Sequence, residues 1–291
     1  MNVFVTGATG FCGTAIVKEL VRAGHAVTGL ARSDNAADAL KAMGAKSHRG
    51  ALEDLESLRS GARAADGVIH AGFIHDFADF KRVCELDRTV VATLGSVLAG
   101  SDRPLIVTSG AALPSARKPA LETDKPALTS AEMPRIATEE AVDALAGVKV
   151  SVVRLAIVHG PGDPHFLPLL VKLARDHGEA AYIGDGANRW PGVHVDDAAV
   201  LYRLALEHGR AGARYHAVGE EGVALREIAG LIGTKLGVPV TSKSHEQAAA
   251  YFGGFAHFAG MDGAASSAWT RAQLGWTPKG ATLLADLASY V

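Results

Sequence analysis

The chain has 291 residues, of which 48% are hydrophobic and 21% charged, and its formal net charge is −2 at pH 7. This composition predicts a globular protein with a sizeable core, and the near-neutral charge argues against nucleic-acid binding. The two cysteines, Cys12 and Cys84, are too few for a disulfide framework, so a cytoplasmic protein is expected. No signal segment and no bilayer-spanning apolar stretch is recognised, so we expect no membrane partner.

The N-terminus has the pattern of a strand, a glycine-rich turn and a helix. Residues 3–5 are apolar and predict a buried strand, and the turn after it carries Gly7, Gly10 and Gly13 three residues apart. Glycines let the backbone turn sharply and approach a ligand closely, and free N–H groups at a helix N-terminus attract phosphate. The stretch therefore predicts a dinucleotide site rather than an ordinary strand–turn–helix.

Strand and helix patterns then alternate along the chain. Strands are predicted at 26–31, 46–49, 67–71, 104–109 and 148–155, and helices at 36–43, 55–64, 80–99 and 130–146. Such alternation predicts parallel βαβ units with right-handed crossovers. The regularity weakens after Val158, so we predict an α/β fold in two parts. A Rossmann-type, doubly wound parallel sheet spans residues 1–160, and a small C-terminal α/β substrate-binding region spans 161–291, interleaved with the first.

The end of the second predicted strand, GLARS, indicates which dinucleotide is bound. About twenty residues after such a glycine turn, an acid bonds the ribose 2′-hydroxyl, whereas an arginine accommodates a 2′-phosphate. Arg32 and Ser33 stand at that place. A guanidinium beside a hydroxyl suits a phosphate, so NADP is favoured over NAD. The alternative is that Arg32 is a solvated loop residue and Asp34 binds the ribose.

With these segments in place, the chain resembles the extended branch of the short-chain dehydrogenase/reductases, which is the NAD-dependent epimerase/dehydratase type. The segments that carry the resemblance are TGxxGxxG, LEDLESL, VTSG, RLAIVHGPGD and YIGDGANRWPGVHVDDAA, and together they cover nearly the whole chain. Relatives often dimerise through two helices, which implies a homodimer through helices 80–99 and 130–146. The resemblance also implies a set of cofactor-binding residues from several segments. They are Gly7, Thr9, Gly10, Phe11, Cys12, Gly13, Arg32, Ser33, Leu52, Ala71, Gly72, Ile157 and Val158.

The usual catalytic residues of that family are only partly present. Ser109 matches the family's Ser or Thr, but the Tyr-x-x-x-Lys motif is absent, and no tyrosine precedes Tyr182. The segment MPRIATEEAVDAL places Arg135 where the Tyr belongs and Glu139 where the Lys belongs. One interpretation is an i, i+4 surface ion pair. The other is that Glu139 faces the nicotinamide as an anion, which suits an iminium substrate; a ketone reductase with a relocated acid fits nearly as well.

Candidates for a relocated acid lie in two loops that follow predicted strands. His75 and Asp76 lie in GFIHDFADF, and His159 and His165 lie in HGPGDPH. Ligands of open α/β sheets bind outside the carboxyl ends of the strands, and histidine exchanges protons near neutral pH. The alternative is that Asp76 caps a helix and the histidines are solvated. No metal site is indicated, because paired Cys/His ligand spacings are lacking.

These observations predict an NADP(H)-dependent oxidoreductase that acts on a small carbonyl or imine substrate without the usual Tyr-Lys pair. Ser109 would position the reacting group, and a residue among His75, Asp76, Arg135 and Glu139 would handle protons or charge. Two alternatives stay open. One is a non-catalytic NADP-binding regulator or redox sensor, and the other is an isomerase or lyase that retains its cofactor. The aromatic segment YFGGFAHFAGM is either a substrate lid or C-terminal core.

Overall fold

The computed structural model describes residues 1–76, 78–112, 115 and 117–291. The strands β1 to β12 are, in chain order, Asn2–Thr6, Ala26–Ala31, Lys46–Arg49, Gly67–His70, Ser101–Gly110, Val148–Leu155, Ile157–His159, Ala180–Ile183, Arg189–His194, Arg214–Ala217, Glu220–Ala224 and Val240–Lys243. The helices α1 to α12 are Phe11–Arg22, Asp34–Ala42, Leu55–Arg63, Phe80–Leu98, Ala137–Asp143, Phe166–His177, Val195–His208, Leu225–Leu236, His245–Phe252, Ala256–Ala259, Ala268–Leu274 and Leu283–Tyr290. Short 3₁₀ turns occupy Pro134–Ile136 and Gly253–Phe255.

The central sheet has seven strands in the order β10-β6-β5-β4-β1-β2-β3, and its neighbouring strands pair in parallel. The chain moves outward from β1 through β2 to β3, then crosses to β4 on the other side of β1. The strand order therefore reverses between β1 and β4, which opens a crevice at the carboxyl ends of these two strands. The predicted doubly wound parallel sheet is confirmed.

Both faces of the sheet are covered, as the apolar run of β1 predicts. Val3 and Val5 pack into one apolar cluster with α1 and α7, whereas Phe4 packs into a second cluster with α3 and α4. Successive side chains of a strand point to opposite faces, and a strand buried on both faces is continuously apolar. This arrangement fixes the end of β1, and hence the glycine turn, at the centre of the sheet.

The C-terminal part adds two small sheets, β11-β9-β7 and β12-β8, around a third apolar cluster that includes Leu170, Trp190 and Ile228. Two elements after residue 160 belong to the main layer, because β10 pairs with β6 and α7 shares the apolar cluster of α1. The division into two interleaved regions with a boundary at residue 160 stays a prediction. No helix in the described ranges is both long and apolar enough to cross a membrane.

One predicted element is wrong, and the error matters for the site. The helix expected over 130–146 is a 3₁₀ turn over Pro134–Ile136 followed by the short helix α5, Ala137–Asp143. Proline has no N–H and disfavours helical backbone in the residue before it, so a helix cannot run through Pro134. Arg135 therefore lies in the turn, whereas Glu139 lies in α5, and the two do not share a regular helical face.

Candidate functional site

The glycine turn lies against the end of β4. Gly7 has a φ of +68°, and a Cβ added there would lie 2.6 Å from the Cα of Gly72. A Cβ on Gly13 would lie 1.9 Å from the carbonyl oxygen of Gly7. Side chains at these two positions would prevent the turn from closing between β4 and α1, so the glycines are required by the fold itself.

The first turn of α1 is open to a ligand. Gly10 is its N-cap, and within the described part of the chain the cap receives no side-chain hydrogen bond and the first turn has no acidic residue. Thr9 and Gly10 are exposed, and Phe11 and Cys12 are half-buried. Helix N-termini of this kind bind phosphate groups, so these residues fit the pyrophosphate of a dinucleotide.

Gly10→Ala is expected to weaken NADPH binding about tenfold without lowering the melting temperature. Gly10 has a negative φ, and an added Cβ would meet only the carbonyl oxygen of Gly7, at 3.3 Å. Alanine therefore requires the Gly7 carbonyl to shift by a few tenths of an ångström, and its methyl group occupies the approach of the phosphate. NADPH fluorescence titration measures the effect, with Gly230→Ala, at an open position in α8, as control. Equal NADPH affinity in Gly10→Ala and the wild type would contradict the phosphate site.

The adenosine end is marked by basic residues at the ends of β2 and β3. Arg32 is exposed and forms no ion pair among the described residues, and Ser33 Oγ caps α2 by accepting the N–H of Ala36 at 3.2 Å. Arg49 pairs with Ala31 in the sheet register, and its Nη2 lies 3.1 Å from Asp34 Oδ1. Both side chains of this ion pair are exposed, so the pair is weak, and the alternative in which Asp34 binds the ribose stays open.

Three other predicted cofactor residues converge beside the turn. The N–H of Gly72 donates to Thr6 Oγ1 at 3.2 Å, and Ala71 precedes it directly after β4. Leu52 is half-buried, and its Cδ2 would lie 3.3 Å from a Cβ on Gly72. The structure therefore brings Leu52, Ala71 and Gly72 together with the glycine turn.

Ile157 and Val158 lie apart from that group, in β7. Both are buried, and they belong to different apolar clusters. β7 pairs in parallel with β9, outside the seven-stranded sheet. Their contact with the nicotinamide stays a prediction.

Two histidines from separate loops form one site. The rings of His75 and His165 stack, with centroids 5.4 Å apart and an angle of 28° between the planes. Phe11 lies edge-on to His165 with a centroid distance of 6.2 Å, and Phe73 lies edge-on to His75 at 5.4 Å. The pair therefore stands next to the first residue of α1.

His75 is solvent-accessible but partly desolvated at its ring. This burial holds the pKa of His75 below its usual range, and the nearby His165 and Arg135 lower it further, because each disfavours another positive charge. The stacked ring of His165 therefore makes the protonated form of His75 less stable. His75 is thus suited to donate a proton on the acidic side of the usual imidazole range.

Arg135 completes this side of the site. Its guanidinium carbon lies 4.4 Å from the centroid of Phe73, and its Nη2 donates to the carbonyl oxygen of Thr108 at 3.1 Å. Its Nη1 lies 3.1 Å from Asp87 Oδ2. The predicted surface ion pair between Arg135 and Glu139 is therefore wrong, because Arg135 takes its partner from α4.

Glu139 and Ser109 lie in a different cluster. Glu139 is 2% exposed, and its two oxygens accept hydrogen bonds from Nε and Nη2 of Arg154, each at 2.7 Å. Burial alone would raise the pKa of Glu139, but Arg154 and Arg214 lower it, so the carboxylate is charged and neutralised. The prediction that Glu139 faces the nicotinamide as an uncompensated anion is therefore wrong.

Ser109 faces this same ion pair. It aligns with Arg154 across β5 and β6, lies beside the Glu139 carboxylate and is 2% exposed. Within the described chain its Oγ has no hydrogen-bond partner of good geometry. The structure does not bring Ser109 together with His75 and His165, and its predicted role in positioning the reacting group is not supported by these contacts.

The remaining candidates have structural partners. Asp76 Oδ1 accepts the N–H groups of Ala78 at 3.1 Å and Asp79 at 3.4 Å, so it caps the turn before α4. His159 is fully buried, and its Nδ1 lies 2.6 Å from Asp286 Oδ2 in α12. His159 therefore anchors the C-terminal helix and does not join the histidine pair. In the described residues, no group of three or more His, Cys, Asp or Glu side chains could hold a metal ion.

Two residues were missed by sequence reasoning, namely Asp163 beside His165 and Tyr202 beside Thr108. Asp163 Oδ1 accepts the N–H of His165 at 2.8 Å, and Oδ2 is buried without a partner among the described residues. Burial raises the pKa of Asp163. Tyr202 is fully buried in α7, and its hydroxyl lies 2.6 Å from Thr108 Oγ1. The sequence could have indicated Asp163, because it lies close to His165 in the HGPGDPH loop. No feature of the sequence indicated Tyr202.

An apolar wall adjoins His165. Phe166 and Phe258 stack at 4.9 Å, Phe255 lies 5.5 Å from Phe166, and Trp190 closes the group edge-on at 5.8 Å from Phe258. The three phenylalanines are half-buried, and Trp190 is buried. The aromatic segment 251–261 is therefore part of the core, with one face next to the loop of the histidine pair.

The fold, the open helix N-terminus and the reversal of strand order define a dinucleotide-binding α/β protein. The chain belongs to the NAD dependent epimerase/dehydratase family, whose model matches residues 3–218. The resemblance to extended short-chain dehydrogenase/reductases is thereby confirmed.

Individual relatives support the same assignment. The chain is 46% identical over 291 residues to an uncharacterized protein of Schizosaccharomyces pombe, with 99% of both chains covered. It is 27% identical over 268 residues to the 2-alkyl-3-oxoalkanoate reductase of Stenotrophomonas maltophilia, which covers 86% of this chain and 80% of the relative. The dTDP-glucose 4,6-dehydratase DesIV of Streptomyces venezuelae, solved with NAD bound, has the same fold. The TM-score is 0.77 at 21% identity, covering 100% and 95% of the two chains.

Proposed function

We propose that this protein is an NADP(H)-dependent reductase of small carbonyl compounds. The observation that carries the proposal is the stacked pair His75–His165 beside Phe11, at the edge of the sheet where the dinucleotide turn lies. This pair is a proton donor in the region where ligands of such sheets bind. Family membership and the relative named as a 2-alkyl-3-oxoalkanoate reductase support an oxidoreductase-type function.

Two residues of the site assist the proposed carbonyl reduction in different ways. A bound NADPH supplies the hydride to the carbonyl carbon. His75 gives its ring proton to the carbonyl oxygen and is reprotonated from water, so one proton and one hydride yield the alcohol. Arg135, next to the Phe73 ring, stabilises the negative charge that develops on the oxygen.

The hydrogen-bond donors of the site favour a carbonyl over an imine. An anion beside the nicotinamide would have suited an iminium substrate, but Arg154 neutralises Glu139. The side chains that adjoin the histidine pair include Arg135, whose charge is balanced by Asp87, together with Asp163 and aromatic rings. A carbonyl oxygen becomes more negative during reduction, so a guanidinium and an imidazolium assist it. The apolar wall next to His165 suits a substrate with an apolar body.

A substrate screen tests the proposed reaction. NADPH consumption is followed with ketones, 3-oxo esters, aldehydes and cyclic imines, with the variant His75→Gln as a control for site-dependent turnover. Turnover of ketones or 3-oxo compounds that is lost in His75→Gln is the expected result. Turnover of imines alone would contradict the carbonyl assignment. NADPH binding without any turnover would favour the regulator alternative, and isomerisation without net NADPH consumption would favour the isomerase.

Arg32→Ala is expected to weaken NADPH binding about 10- to 100-fold and to leave NADH binding unchanged, since hydrogen bonds to charged groups contribute that much. Arg32 is exposed and has no ion-pair partner among the described residues, so its loss breaks no described ion pair. Fluorescence titration with both cofactors measures the change. Arg63→Ala is the control, because Arg63 is an exposed arginine of α3 paired with Glu56. Parallel loss of NADH and NADPH affinity would overturn the NADP assignment.

A further inference from the structure

We propose that Asp87 is a positioning residue that fixes Arg135 at the substrate oxygen and ties it, through His70 and Thr6, to the dinucleotide turn. This inference rests on the proposed carbonyl reduction, because Arg135 acts on the oxygen only in that reaction. It concerns four side chains, Thr6, His70, Asp87 and Arg135, which we call the Asp87 network. They come from β1, β4, α4 and the turn before α5.

The Asp87 network is continuous in its hydrogen bonds. Thr6 Oγ1 and His70 Nδ1 are 2.7 Å apart, His70 Nε2 and Asp87 Oδ1 are 2.9 Å apart, and Asp87 Oδ2 and Arg135 Nη1 are 3.1 Å apart. Thr138 also donates its hydroxyl to Asp87 Oδ2. Thr6, His70 and Asp87 are each at most 4% exposed. Water therefore does not compete for these bonds.

One assignment of protons satisfies every member. The N–H of Gly72 donates to Thr6 Oγ1, so the Thr6 hydroxyl donates in turn to His70 Nδ1. A neutral His70 then carries its proton on Nε2 and donates it to Asp87. The Asp87 carboxylate accepts from His70 on one oxygen and from Arg135 and Thr138 on the other. The direction of donation therefore runs from the dinucleotide turn to Asp87.

Asp87 holds Arg135 in place by charge as well as by geometry. Burial alone would raise the pKa of Asp87, but Arg135, His70 and Thr138 together lower it, so the buried carboxylate stays ionised. A buried charge without its partner is costly, which keeps the guanidinium against Asp87. The carbonyl oxygen of Thr108 and the ring of Phe73 restrain its other sides. A long side chain is thereby held in one position near His75.

The network also links that position to the cofactor turn. Thr6 is the last residue of β1 and directly precedes Gly7, and it receives the N–H of Gly72 from the end of β4. Both neighbours belong to the predicted pyrophosphate and ribose contacts. A shift of this turn is transmitted to Asp87 through only two hydrogen bonds. The position of the substrate-binding cation is therefore set by the same residues that hold the dinucleotide.

Asp87→Asn tests the positioning role against a second, more exposed ion pair between the same two helical segments. The variant keeps the shape of the side chain, removes its charge, and is expected to lower kcat about 10²-fold with unchanged NADPH affinity. Glu140→Gln is the control. Glu140 also joins α5 to α4, through Arg88 at 2.7 Å, but lies outside the Asp87 network. We expect Glu140→Gln to retain the wild-type kcat. Equal kcat in Asp87→Asn and the wild type would overturn the inference.

Chemical rescue separates positioning from a general loss of structure. Arg135→Ala is expected to lose activity that added guanidinium restores, because the carboxylate of Asp87 binds the free cation. In the double variant Arg135→Ala/Asp87→Asn, guanidinium is expected to restore nothing. Rescue of both variants to the same extent would overturn the positioning role of Asp87.

Two further outcomes keep the inference separate from the proposed reaction. If Asp87→Asn does not fold, Thr138→Val keeps the carboxylate and removes one hydrogen bond to it, and we expect kcat to fall about fivefold. An unchanged kcat in that variant would overturn the inference alone. Absence of wild-type turnover with every carbonyl compound would overturn the proposed function, and the inference falls with it.

Discussion

Replacing His75 with glutamine is expected to lower kcat for carbonyl reduction by about 10²- to 10⁴-fold, which is the usual contribution of a general acid. Glutamine still donates a hydrogen bond but cannot deliver a proton. The NADPH affinity should be unchanged, because the proposed role of His75 is to give a proton to the substrate and not to bind the dinucleotide. Steady-state kinetics and NADPH titration measure the two quantities separately. Loss of NADPH binding with unchanged kcat at saturation would assign His75 to the cofactor instead.

The pH dependence of kcat identifies the donor more sharply. Reduction consumes a proton, so the active form has His75 protonated, and kcat should fall as the pH rises through the pKa of His75. That pKa is lowered by burial, by His165 and by Arg135. In His165→Asn the repulsion from the second imidazole is gone, and we expect the falling limb of the profile to move to higher pH. His208→Asn, at an exposed position, should leave the limb in place.

An unmoved limb in His165→Asn would show that His165 does not lower the pKa of His75, and would remove the support for an electrostatic interaction between the two rings. If the fall of kcat at high pH disappears in His75→Gln but is still present in His165→Asn, the proton transfer is assigned to His75 alone. The stacked geometry then serves to desolvate the donor, since His165 covers one face of its ring.

The central sheet and the cofactor turn were predictable because their signals are local. The strands Ala26–Ala31, Lys46–Arg49 and Val148–Leu155 have the bounds that their patterns predict. An apolar run buried on both faces and glycines at fixed spacing depend on neighbouring residues only. The local strand patterns also predicted that His75 and His165 lie in loops that follow strands. That the two rings stack depends on how those loops meet, which the sequence does not contain.

The partners of the charged residues could not be predicted, because they come from distant segments. The i, i+4 rule applies only within a regular helix, and Pro134 interrupts the helix that was expected between residues 130 and 146. Arg135 then turns toward Asp87 in α4, and Glu139 turns toward Arg154 in β6. Arg135 and Glu139 are each buried enough to require an oppositely charged partner. Composition alone does not indicate which residue that partner is. Tertiary packing decided both pairs, so the charge of Arg135 and the charge of Glu139 are each balanced by a partner.

Arg154→Met is expected to lower the free energy of unfolding by about 3–5 kcal/mol, the usual cost of leaving a buried carboxylate without its partner. Arg154 is 4% exposed and binds both oxygens of Glu139. Urea unfolding at neutral pH measures the change. Arg82→Met is the control, because Arg82 and Asp79 form an exposed pair that contributes at most about 1 kcal/mol. A loss for Arg154→Met no larger than that of the control would contradict the buried pair.

The sign of the pH dependence follows from the two states of Glu139. In the wild type Arg154 and Arg214 hold its pKa below the unfolded value, so the pair stabilises the fold above the unfolded pKa, and the stabilisation is lost as the pH falls through the folded pKa. In Arg154→Met burial dominates and the folded pKa rises above the unfolded value. That variant is then penalised as the pH rises, so its difference from the wild type should shrink on acidification. A difference independent of pH would mean that lost packing, not charge, is the cause.

The double variant Glu139→Gln/Arg154→Met connects this ion pair to the question of function. With both charges removed, we expect part of the lost stability to return and kcat to stay near the wild-type value, since neither residue contacts His75 or Arg135 in the described structure. A catalytic anion at Glu139 requires the opposite, namely a stable double variant with little activity. Recovery of stability with kcat intact would therefore leave the cation Arg135 and the histidine pair as the charged groups of the reaction, which is the charge pattern of a carbonyl reductase.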